Sequence, residues 1–303
     1  MNKIQKGLIL VLMTAIISGV SVFLNKFAVK VISNSDVFTT AKNIVVGLVL
    51  MGIILLPFYF NKLKQVKKSD WVRLYLIAGI GGSIPFLLFF KGLSLTSATS
   101  AAFIHKTLFI WVSLMAVWFL KEKIGKLQYL ALGLLFLGNF TMLGFKFMNF
   151  GWPELLILMA DLMWAIEFII AKKVLAKVPA EIVAWARMFL GAMILLVYLV
   201  LTRQVAGLVN LNAGQWYWVI ISSVLLLGYV LTWYKSLQYL PAVTVTSILV
   251  LASPITTALD LISTGKYNIY QVGGSLLILA ATILLIYSFK KIGHVPNRAE
   301  NFN

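Results

Sequence analysis

Residues 14–30, TAIISGVSVFLNKFAVK, lie over residues 160–176, ADLMWAIEFIIAKKVLA, and this pairing decides how the chain is organised. Gly19 coincides with Ala165 and Lys26 with Lys172; a little further on, Lys42 coincides with Arg187. A second pair, FFKGLSLTSATS (89–100) over WYKSLQYLPAVT (233–244), aligns Lys91 with Lys235, Leu93 with Leu237 and Ala98 with Ala242 at nearly the same spacing. Chance similarity between leucine-rich helices is common. Polar anchors that coincide at nearly constant spacing across half the chain indicate an internal duplication.

The solvent around these segments follows from composition. The 303 residues are 61% hydrophobic and 12% charged, whereas a soluble domain is about half apolar and about a quarter charged. Apolar runs of roughly 20 residues, enough to cross ~30 Å of hydrocarbon, recur along the whole chain. They predict spanning helices at 6–29, 37–60, 71–92, 97–120, 126–146, 152–174, 180–202, 215–238, 242–263 and 269–290. Helices are expected because a lipid-exposed backbone must satisfy its own hydrogen bonds, and no stretch alternates as a membrane strand would. The first run follows MNKIQK but is too long for a signal peptide and lacks a clean A-x-A site, so it reads as the first span.

The net charge of +17 raises the question of nucleic acid. The cations instead cluster in alternate loops, as membrane orientation requires. With the N-terminus inside, 17 Lys and Arg fall on the inner side and 6 on the outer, leaving Lys42, Lys106 and Arg187 within spans. That bias predicts a multi-pass protein of the inner or plasma membrane with both termini cytoplasmic. Each copy of the duplication holds five helices, and an odd number inserts the second copy upside down, an arrangement common in transporters. The expected units are 1–147, 148–291 and a polar cytoplasmic tail, 292–303. There is no cysteine, no H-E-x-x-H and no G-x-S-x-G, and the two histidines, His105 and His294, lie far apart. These absences argue against an enzyme, a metal site or a cofactor. Symmetric polar rings of a channel are also missing.

The pieces SGVSVFLNKF…VFTTAKNIVVGLVL and MWAIEFIIAKK…EIVAWARMFLGAMILL, each followed by its own segment, LTSATSAAFI or LPAVTVTSIL, resemble EamA-type members of the drug/metabolite transporter superfamily. Closing helices near LGLLFLG and GGSLLILAA complete the match, which spans roughly residues 6–290. The resemblance implies ten helices in two inverted repeats, a central pocket, alternating access, and export or uptake of small metabolites. The chain departs from the pattern at Lys42, where arginine is more typical, at Glu167, and at the His105–Lys106 pair.

Polar residues matched across the repeats read as scaffold. Lys42 and Arg187 are such a pair, able to snorkel, to hold a neighbouring carbonyl or to serve as gates. Unmatched polar residues are the better site candidates: His105 and Lys106 face Leu249 and Val250 in the other copy, while Asp161 and Glu167 face Ala15 and Ser21. Lys106 and Asp161 both lie about nine residues from the outer surface, roughly 13–14 Å deep. The charges within spans, with Asp260 near an outer end, would cost roughly 15–20 kcal/mol unpaired, against stabilities of ~5–15. Pairing of Lys106 with Asp161 in a polar pocket is therefore expected; the bland alternative is an ion pair that only locks two helices. Asp161 and Glu167 point to different helix faces, and either can serve as a proton site for coupling. Phe86, Trp111, Tyr229 and Trp233 are candidates for an aromatic wall, and Gly81, Gly82, Pro85 and Pro254 for hinges. The expected substrate is a small metabolite such as an amino acid or organic acid, the alternative a hydrophobic cation. The expected partners are the bilayer and, at most, a second copy of the chain.

Overall fold

A computed structural model describes residues 2–96, 98–144, 150–266 and 268–292. The tail from His294, Lys146 and the expected boundary between units at 147/148 lie outside them. Every regular element among the described residues is a helix. Among the described residues, eight stretches are long and apolar enough to cross a membrane: Lys3–Val31, Ser35–Ile54, Lys68–Leu95, Ser100–Leu120, Ala180–Leu201, Ala213–Tyr239, Ala242–Thr264 and Ile269–Phe289. Two more helices pack among them. Lys126–Met142 runs for 17 residues. Trp152–Val174 carries Glu154, Asp161, Glu167, Lys172 and Lys173 along 23 residues.

Several expected spans prove interrupted. The second helix stops at Ile54, and Pro57 opens a separate short helix, Pro57–Lys64. Proline disfavours helical conformation in the residue before it and supplies a good first helical position, so the chain breaks there. The third span divides at Ser83 into Lys68–Gly82 and Ile84–Leu95. Ser83 has φ −139° and ψ −74°, and its hydroxyl donates to the carbonyls of Ala78 and Gly79, both at 3.0 Å. The fourth divides at Thr107 and the ninth between Leu249 and Ala252. Pro254 sits in the first turn of the helix that follows the second break, where its missing N–H costs nothing. The span Ala242–Thr264 is interrupted four residues before Pro254, at Val250, where a proline ring excludes the helical carbonyl. Five-residue π-helical turns cover Ala116–Leu120 and Ala186–Leu190.

Helix Lys3–Val31 packs along Ala213–Tyr239, and Lys126–Met142 along Ile269–Ile292. In the latter pair an added Cβ on Gly274 would stand 2.5 Å from the Gly138 carbonyl oxygen, so small residues bring these two backbones together. The tight turn at Leu240–Pro241 is held from both sides. Lys172 Nζ donates to the carbonyls of Leu237 and Leu240, each at 2.6 Å. The Glu122 carboxylate accepts from the backbone N–H of Ala242 (2.7 Å) and Val243 (3.1 Å). Burial pushes the Glu122 carboxyl up, although the two amides and Lys172 pull it back. A raised value means the folded chain holds this proton more tightly than the unfolded one, so its contribution to stability falls as pH rises through that value. Glu122→Ala is expected to cost about 1 kcal/mol through the lost cap and to flatten that pH slope. Melting temperatures across a pH series check both.

Candidate functional site

Helix Trp152–Val174 organises the polar interior. Gly151 precedes it, and Glu154 accepts from the Gly151 N–H at 2.9 Å, closing the first turn. Glu154 also takes the Thr96 hydroxyl, tying the helix to the end of Ile84–Leu95. Asp161, Trp164 and Glu167 then follow at three-residue intervals. Each step turns the side chain about 60° around the axis, so the three fan across the side of the helix that meets the interrupted third span.

Asp161 is fully buried, and its Oδ1 lies 2.7 Å from His105 Nδ1. The His105 side chain is 42% exposed, whereas that of Asp161 is sealed. Aromatic rings enclose it: Phe89 lies 5.1 Å and Trp164 5.2 Å from the His105 ring, centroid to centroid, both edge to face. Phe86 stands edge-on to Trp164 at 5.3 Å. His105 occupies the penultimate position of Ala98–Lys106, one turn-forming residue before the break at Thr107. The partner of Asp161 is therefore His105, not Lys106. Adjacent residues point about 100° apart on a helix, and only one of the two can face Asp161. Lys106 is half-buried, and no carboxylate among the described residues pairs with it.

A second cluster surrounds Glu167, which is also fully buried. Tyr234 Oη donates to Glu167 Oε1 at 2.7 Å. Arg187, in the π-helical turn, lies within electrostatic reach of Glu167 and Tyr234. Its guanidinium carbon stands 4.9 Å from the centroid of Trp233, which Tyr229 stacks against at 6.0 Å. Arg187 Nη2 and Trp164 Nε1 both donate to the Gly81 carbonyl, at 3.2 and 3.0 Å, while the Asn43 amide donates to the Gly82 carbonyl at 3.2 Å. The break at Ser83 releases these carbonyls, and three side chains from three helices collect them. Gly81 and Gly82 thus serve close packing: an added Cβ would stand 2.4 Å from Glu167 Cγ at one and 2.1 Å from the Arg187 carbonyl oxygen at the other. Arg187 holds a carbonyl; it does not snorkel.

Other expected residues stand apart from both clusters. Lys42 lies with its ammonium 4.3 Å from the Phe38 ring centroid. Trp111 donates to Thr107 Oγ1 at 3.2 Å, beside the break in the fourth span. Asp260 pairs with Lys26 near the C-terminal end of its helix. Sequence reasoning missed Trp164, Tyr234 and Asn43. Trp164 was legible in the three-residue spacing between Asp161 and Glu167; Tyr234 and Asn43 carried no signal, because their partners lie on helices distant in sequence. Among the described residues, Asp161 Oδ2 and Glu167 Oε2 have no hydrogen-bond partner, and no cluster of three or more metal-ligating side chains occurs.

These features define a multi-pass helical membrane protein with interrupted spans and paired charges in its interior. The sequence pattern of the EamA-like transporter family matches twice, over residues 5–144 and 151–287, and the chain belongs to that family, within the drug/metabolite transporter superfamily. Members of the family are transporters, not enzymes. A solved structure described as "Crystal structure of protein" superposes with a TM-score of 0.77 at 12% identity, covering 96% of this chain and 99% of that one; at that identity the likeness concerns the fold alone. No curated protein matches.

Proposed function

We propose that the protein is a ten-span carrier of two inverted five-helix repeats, with both termini in the cytoplasm and the plasma membrane as its seat. By alternating access it exports a small zwitterionic or anionic metabolite, an amino acid or organic acid. Lys126–Met142 and Trp152–Val174 complete the ten: the first is a little short, and the charges of the second find partners inside the bundle. The observation that carries the reading is the His105–Asp161 pair, half open and half sealed. His105 offers its ring to a substrate carboxylate while Asp161 orients that ring. Phe86, Phe89 and Trp164 offer apolar surface to the rest of the substrate. Asp161 is the proton site that couples substrate movement to pH.

Transport by the purified protein in liposomes, measured from pH 5.5 to 8.5, tests this. His105→Ala is expected to lower uptake of the best substrate about tenfold or more, the cost of losing one charge-assisted contact, and Asp161→Asn is expected to abolish the pH dependence. Unchanged pH dependence in Asp161→Asn would remove the pair from coupling. A second reading, efflux of hydrophobic cations, is favoured by a buried carboxylate whose partner, His105, is flanked by the rings of Phe89 and Trp164. It predicts melting-temperature shifts with lipophilic cations that are lost in Asp161→Asn and retained in His105→Ala.

A further inference from the structure

The face that bears most of the loop cations contains a cleft of about 350 Å³. The short helix Pro57–Lys64 forms one wall and contributes Tyr59 and Lys62. The segment after Trp152–Val174 forms the other with Lys177 and Glu181, and Lys235 closes the back. Glu181 is already engaged there, accepting from Lys235 at 2.9 Å and bonding with the Tyr59 hydroxyl. Lys62 and Lys177, both exposed, line the cleft from different segments, and no carboxylate among the described residues pairs with either. The cleft therefore offers two uncompensated cations, one from each half of the chain, above a neutralised floor.

Its position selects the source of the anion. Leu55, Leu56 and Phe58, which lead into the short helix, are 62%, 53% and 64% exposed. Apolar side chains this bare, directly beside lysines at the end of a spanning helix, belong at the boundary between headgroups and hydrocarbon. A ligand with a phosphate between the lysines and acyl chains along Leu55 and Phe58 satisfies both surfaces at once, whereas a soluble phosphate would leave the apolar rim uncovered. Basic pockets at the edge of membrane helices suit such headgroups.

We propose that this cleft binds the headgroup of an anionic phospholipid, with Lys62 and Lys177 clamping its phosphate and so bridging the two repeats. The full-length protein would be placed in phosphatidylcholine nanodiscs with and without phosphatidylglycerol, reading melting temperature and, by native mass spectrometry, retained lipid. Phosphatidylglycerol is expected to raise the melting temperature and to stay bound. The variant Lys62→Ala/Lys177→Ala is expected to weaken that retention about 30-fold, two cation–phosphate contacts' worth. Lys67→Ala/Lys68→Ala removes the same charge from the same face outside the cleft and is expected to retain the lipid. Equal loss in both double variants would reduce the effect to general surface attraction and overturn the site. Retention in the cleft variant would overturn it too. Stabilisation of the protein in pure phosphatidylcholine by inorganic phosphate, lost in the cleft variant, would make the ligand a soluble phosphate and overturn the lipid assignment.

Discussion

Gly82→Ala is expected to lower stability by about 3 kcal/mol, at or above the upper end of the usual cost of overpacking. The added Cβ would stand 2.1 Å from the Arg187 carbonyl oxygen, and a second backbone, Gly191, closes the same contact from its own side. A backbone carbonyl inside a helix has no rotamer with which to escape, so the two spans must separate. Separation would in turn weaken the bonds from Asn43, Trp164 and Arg187 to the freed carbonyls. Gly79→Ala is the matched control. Nothing lies within 4 Å of its added Cβ, and replacing a helical glycine by alanine gains roughly 0.5–1 kcal/mol. Melting temperatures of the two variants in the same detergent should move in opposite directions; a harmless Gly82→Ala would mean that the third and seventh spans are looser than the structure has them.

Arg187→Met is expected to cost about 3–5 kcal/mol, because it leaves the carboxylate of Glu167 in the bundle without its opposite charge. Tyr234 donates one hydrogen bond to that carboxylate, but its Oε2 has no partner among the described residues. Adding Glu167→Gln to Arg187→Met removes the orphaned charge and is expected to restore most of the loss. The two single variants and the double variant form a cycle whose non-additivity measures the coupling directly. Simple addition of the two single effects would show that Arg187 matters only through the Gly81 carbonyl and the Trp233 ring.

Where sequence reasoning succeeded and where it failed has one physical cause. Helix type and approximate placement were legible because hydrophobic length is a local property, and the duplication was legible because anchors such as Lys26 and Lys172 recur along one dimension. The breaks were partly legible. Pro57, Pro85 and Pro254 all mark them, but the break at Thr107 has no proline or glycine at all. The choice between His105 and Lys106 as the partner of Asp161 was not legible. It depends on the rotation of Ala98–Lys106 about its own axis, which packing against distant helices sets. The charges placed in spans were expected to find partners; which partners they found could not be read from depth alone.

The sequence by itself determined the solvent, the helical class and the family, since these rest on apolar length, charge bias and recurring segments. Only the tertiary structure decided that Asp161 meets a half-exposed His105, that Arg187 and Trp164 gather the carbonyls freed at Ser83, and that Lys62 and Lys177 line one cleft. Each of those contacts joins residues from separate helices, and their meeting depends on helix rotation and close approach, quantities that no local pattern of residues records.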